Sequence, residues 1–141
     1  MNKEIRMINT ECYTYLNLNP KGKFDGDCVI RAIALATNQA WEQTVRDLTE
    51  LGIKKGLVCN DKKLYPLYLK EKRFIECKEP RDCFNYKMSV KDWLKGEKLD
   101  DIIIVANVGS HHITCIKNGS VHDIWNCSTQ TMHKYWYKKV C

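Results

Sequence analysis

The chain has 141 residues, of which 44% are apolar and 28% charged, a balance that can bury an ordinary core and that excludes a disordered polymer. Twenty-three Lys and Arg against 17 Asp and Glu give a net charge of +6, spread over short clusters such as Lys54-Lys55, Lys62-Lys63 and Lys138-Lys139. Scattered in this way, the excess reads as solvated lysine on helix faces rather than a nucleic-acid surface. The longest apolar run, Ile102 to Ala106, is five residues, against the roughly 20 that span a bilayer.

Met1 to Arg6 leads into polar residues rather than the apolar stretch of a signal peptide, so the expected location is the cytoplasm, with no membrane partner. In that setting the eight cysteines are expected as reduced thiols. None forms a C-x-x-C pair, and only Cys77 and Cys83 approach the close spacing that zinc asks for, so no metal and no other cofactor are expected. With no linker or repeat, residues 1–141 are read as one domain.

In chain order, the first twenty residues read as a short strand or extended arm that closes in a turn around Asn19-Pro20-Lys21-Gly22. Asp25, Gly26 and Asp27 then offer N-cap chemistry for a helix from Cys28 to Thr37, apolar on nearly every side, with Arg31 its one charge. Such a helix belongs in the middle of a fold. A second helix is expected over 40–51, amphipathic through Trp41, Val45, Leu48 and Leu51 and stopped by Gly52. A third is expected over 61–73, with Pro66 tolerable only near its first turn. Residues 75–88 read as a loop with one strand, and Ser89 with Asp92 caps a short helix over 90–95.

The last third changes period. Ile102 to Val108 suits a central strand, His111 to Lys117 the next, Asn118-Gly119 a tight hairpin, Val121 to Asn126 its return, and His133 to Lys139 an edge strand. The predicted class is α+β, with N-terminal helices packed on a C-terminal antiparallel sheet.

Cys28 carries the chemistry. In the first turn of a helix, unpaired backbone N–H groups and the helix dipole favour a thiolate, and the same groups can hold an oxyanion. A thiolate nucleophile needs a base and a polar group to orient that base. The late hairpin supplies both, with His111 and His112 on one strand and Asp123 and Asn126 on the other. A two-residue turn pairs 117 with 120, sets His111 opposite Asn126 and puts Asp123 diagonal to His112 on the same face; a three-residue turn pairs His112 with Asn126 directly. Taken singly, Asp27 reads as a helix cap, Arg31 as the partner of a buried carboxylate or backbone carbonyl, Cys115 and Cys127 as core and loop thiols, and Trp125 and Tyr135-Trp136-Tyr137 as packing.

The order of nucleophilic Cys on the central helix, then His on a strand, then Asn or Asp on the next strand resembles papain-like cysteine peptidases. More closely, Asn19-Pro20, Gly26-Asp27-Cys28-Val29-Ile30-Arg31-Ala32 and Trp41, with Val90-Lys91-Asp92-Trp93-Leu94, His112-Ile113-Thr114 and Asp123-Ile124-Trp125-Asn126, are similar to small phage and prophage proteins, over roughly residues 15–128. The resemblance implies a papain-like fold, Cys28 as nucleophile, His112 rather than His111 as base, and Asn126, alternatively Asp123, as the residue that orients it. It implies a protein or peptide substrate in a bacterial host cell, or, without catalysis, an inhibitor or adaptor docking on a host protein. Papain-like enzymes hold an oxyanion Gln a few residues before the Cys. Here Gly22-Lys23-Phe24 fills that stretch, and Asn19 takes the role if the turn folds back.

Overall fold

A computed structural model describes residues 9–24 and 26–140, so Asp25 and the Met1–Arg6 reading lie outside the described residues. Ten elements follow in order: β1 (Tyr13–Tyr15), α1 (Cys28–Ala36), α2 (Trp41–Lys55), α3 (Tyr65–Glu71), β2 (Ile75–Cys77), α4 (Val90–Lys95), β3 (Ile102–Val108), β4 (His112–Lys117), β5 (Ser120–Asp123) and β6 (Met132–Lys139). The strands form one six-stranded sheet in the order β1-β5-β4-β3-β6-β2.

The class is α+β, with two corrections to the expected layout. The sheet is not wholly C-terminal or wholly antiparallel, because β1 joins it parallel to β5 and β2 joins it beside β6. Nor is β6 an edge strand: it pairs with β3 on one side and β2 on the other, which is why Trp136 is buried.

Strand β3 is buried on both faces. Ile103 and Val105 pack with α1, α2 and α3, whereas Ile104, Ala106 and Val108 pack with Val90 and Trp93 of α4. The alternation follows from the period of two, and burial on both faces explains the unbroken apolar run. Beside β3, α1 lies against β4.

Helix boundaries moved where backbone chemistry overrode pattern. Helix α2 does not stop at Gly52; it runs to Lys55, and Gly56 ends it in the left-handed region at φ 72°. Gly52 is instead a packing position, its carbonyl accepting from Leu57 N–H at 2.8 Å. Helix α3 is shorter than the expected 61–73 because Pro66, with no N–H, fits only the first turn of a helix starting at Tyr65. Ser89 caps α4 as expected, accepting from Asp92 N–H at 3.1 Å.

The hairpin settles the register. Lys117 pairs with Ser120, and Asn118 and Gly119 both have positive φ (51° and 75°), as a two-residue type I′ turn requires. Strand β4 starts at His112 rather than His111, which sits in the preceding turn at φ 65°, and β5 ends at Asp123 rather than Asn126.

A Cβ at residue 52 would run into the Leu57 carbonyl, a backbone atom that cannot rotate away. Gly52→Ala is therefore expected to destabilise the fold by about 1–3 kcal/mol despite alanine's better helix propensity. The shift in urea midpoint measures this.

Candidate active site

Asp123 is the hub. By the observed register it lies directly across from Thr114 and diagonal to His112, and His112 Nε2–H donates to its Oδ2 at 2.6 Å. Thr114 Oγ1 donates to the same oxygen at 2.6 Å, and the Cys127 thiol approaches it at 3.9 Å. Its other oxygen accepts from Ile124 N–H at 2.7 Å and faces Arg31 Nη2 at 3.9 Å. A carboxylate only 5% exposed is compensated by this many donors.

Helix α1 brings Cys28 into interaction with the His112 ring. Strand β5 stops at Asp123, so His112 and Ile113 extend past its ladder, and there the Cys28 thiol meets the imidazole and the Ile113 backbone.

The electrostatics separate two thiols that bond to the same ring. Burial pushes the Cys28 thiol up, but the His112 hydrogen bond, the Ile113 N–H and the charges of His112 and Arg31 outweigh it, and its pKa falls below the ordinary thiol value. Cys127 is more deeply buried and beside the Asp123 anion, so its pKa rises; it stays a neutral thiol and donates to Asp123. Burial pulls His112 down, yet the hydrogen bonds to Asp123, Cys127 and Cys28 and the Asp123 charge carry it up to about 11. Between those two ionisations the site holds a thiolate beside an imidazolium.

Other expected residues lie elsewhere. Asn126 does not orient the histidine: its Oδ1 accepts from Ser128 N–H at 3.1 Å and Ser128 Oγ at 2.6 Å, because the strand ends at 123 and the chain turns away. Asn19 does not present its amide to Cys28: Nδ2 donates to Asp27 Oδ2 at 3.1 Å and Oδ1 accepts from Lys21 N–H at 2.9 Å. Asp27 occupies the N-cap position but makes no side-chain cap bond. Its carboxylate turns instead to Trp41 Nε1 (2.9 Å), Asn19 and Arg31 Nε (3.4 Å).

One residue acquires a role that composition did not suggest, and another packs as expected. Cys127, read as a loop thiol, is fully buried against Asp123. Trp125, read as packing, packs on the His112 ring at 5.0 Å between centroids. The i, i+4 spacing of Asp27 and Arg31 was the visible sign of their pairing. Among the described residues, His112, Asp123 and Cys127 also form the one group with metal-capable atoms mutually within 4.8 Å, but those atoms are already hydrogen-bonded to one another.

A small cleft opens beside Cys28, walled by Leu16, Leu18, Ala32 and Leu35 with Arg31 and His122 at its polar side. Among the described residues no helix is long and apolar enough to cross a membrane. Comparison with known proteins finds no matching family model, no matching curated protein and no matching solved structure.

Because the His112 imidazolium lowers the Cys28 thiol, iodoacetamide at about pH 6 is expected to modify Cys28 at least ~10-fold faster than exposed Cys83. Mass mapping of a time course reads this, and a lead for Cys83 would contradict the charge assignment.

Proposed function

We propose that the chain is a papain-like thiol acyl-transfer enzyme, a cysteine peptidase-like hydrolase of the phage and prophage type, acting on a peptide, isopeptide or side-chain amide. The reading rests on one observation above all: the ring of His112 is bonded to buried Asp123 and also interacts with the lowered Cys28 thiol. That is the nucleophile, base and orienting group of acyl-transfer chemistry, recognised by geometry and role. Asp123 takes the third place, and Asn126 is given up for it.

The steps follow from this arrangement. The Cys28 thiolate attacks the carbonyl carbon, a C–S bond forms, and the carbonyl π pair moves to oxygen. The backbone N–H groups at the start of α1 stabilise that oxyanion. His112, an imidazolium, gives its proton to the leaving nitrogen as the C–N bond breaks, leaving a thioester. Neutral His112 then takes a proton from water, whose oxygen attacks the thioester. The second intermediate expels the thiolate and restores the pair. Asp123 keeps the ring oriented throughout and offsets its charge.

A binding role without turnover draws on a different observation, the commitment of the Asn19 amide to Asp27, which leaves the oxyanion to backbone donors alone. On that reading the protein is an inhibitor or adaptor for a host protein in the bacterial cytoplasm, and Cys28→Ala leaves its biological effect intact.

p-Nitrophenyl acetate is expected to give a burst of nitrophenolate with the acetyl group trapped on Cys28. Cys28→Ala abolishes the burst, while His112→Ala and Asp123→Asn slow it by about 10²–10⁴-fold, the usual worth of a positioned base. Asn126→Ala leaves it within about threefold of the wild type, because Asn126 bonds only its own loop. Acetylation spread over several thiols, or absent from Cys28, overturns the enzymatic reading.

A further inference from the structure

We propose that Arg31 is a positioning residue for the Cys28–His112 pair, a buried cation that bridges the carboxylates of Asp27 and Asp123 and so couples the start of α1 to the β4–β5 hairpin. The inference rests on the catalytic reading of that pair and goes beyond it by naming what holds its two halves together.

Arg31 is only 8% exposed, and a guanidinium at that depth is costly unless compensated. Two anions compensate it: Asp27 Oδ1 lies 3.4 Å from Nε and Asp123 Oδ1 lies 3.9 Å from Nη2. Neither contact is a directed bond: among the described residues Arg31 Nε and Asp27 Oδ1 make no hydrogen bond, and 3.9 Å is too long for one between Nη2 and Asp123. Charge therefore holds the bridge. Asp27 is in turn fixed at Oδ2 by Trp41 Nε1 and Asn19 Nδ2, which tie it to the first residue of α2 and to the arm that follows β1. The line of contact runs from Trp41 and Asn19 through Asp27, Arg31 and Asp123 to His112 and Cys28. Only arginine fits its middle, because lysine carries one point charge where the planar fork presents two edges.

Titratable groups face this line from every packed element. Cys28 and Asp27 stand at the start of α1, His112 and Cys115 on β4, His122 and Asp123 on β5, Cys127 in the loop after it, and Tyr65 of α3 feels the charge of Cys28. Of these, only the pair of carboxylates touches the guanidinium as ions.

The test is the pH profile of Cys28 alkylation by iodoacetamide in folded protein, with circular dichroism as the control for folding. In Arg31→Gln the acid limb is expected to move up by about one pH unit, the lower end of what a cation within ~4–6 Å contributes. Arg31→Lys recovers part of that shift, and Trp41→Phe, which removes a donor to Asp27, moves the limb the same way by less. Arg31 also attracts the thiolate directly, so the shift is measured again with Asp123→Asn present. A bridge acting through Asp123 gives a smaller Arg31→Gln shift there, whereas a shift of full size overturns it.

A limb unmoved in Arg31→Gln overturns the proposal, and so, where that variant fails to fold, do wild-type profiles in both Arg31→Lys and Trp41→Phe. A wild-type limb at the ordinary thiol position overturns the catalytic reading and the bridge together. A lowered wild-type limb that His112→Ala abolishes and Arg31→Gln leaves in place overturns the bridge alone.

Discussion

The hydrogen bond between His112 and the buried carboxylate of Asp123 is the constraint on which the rest of the site depends. An anion so deeply placed is tolerable only with donors on both oxygens, and the fold supplies them from β4, the loop after β5 and α1. Once that anion is fixed, the imidazole beside it is held as a cation, and the cation in turn favours a thiolate at Cys28. The charges at the site are thus a cascade that starts from a single desolvated group.

Two thiols border the same ring, and their difference shows how finely position decides chemistry. Cys28 has a backbone N–H and two cations near it; Cys127 shares the His112 ring but lies deeper and beside the Asp123 carboxylate. Burial opposes ionisation in both, and only Cys28 has enough opposing attraction to overcome it. Cys127 is left to serve as a donor, a small polar brace within the core.

The amphipathic and apolar runs were legible from sequence, and so were the helix bearing Cys28, the central strand β3, the Ser89 cap and the Asn-Gly hairpin, because each depends on local propensity or period. Cys28 was legible as a candidate because it stands at a helix start, whereas local pattern put His111 and His112 on one strand alike and only the resemblance singled out His112. What was not legible depended on where the chain turns after pairing ends. Asn126 fitted the expected spacing but falls beyond β5, so its amide serves Ser128. Asp27 looked like a cap because caps are set by local rules, but tertiary partners at Trp41, Asn19 and Arg31 claimed its carboxylate. The inner position of β6 and the parallel entry of β1 are long-range pairings for which local sequence carries no signal.

The two-residue turn at Asn118-Gly119 has a consequence well away from itself. In a strand pair, neighbouring residues point to opposite sides, so length at the tip acts as a parity switch on everything downstream. A slip of one position would carry the Asp123 side chain to the other side of the ribbon and set the Asn126 amide across from the imidazole. A neutral amide cannot sustain a ring cation as a carboxylate does. Substitutions along the two strands change the site by degrees, whereas moving the turn from residues 118–119 to 118–120 exchanges one kind of chemistry for another.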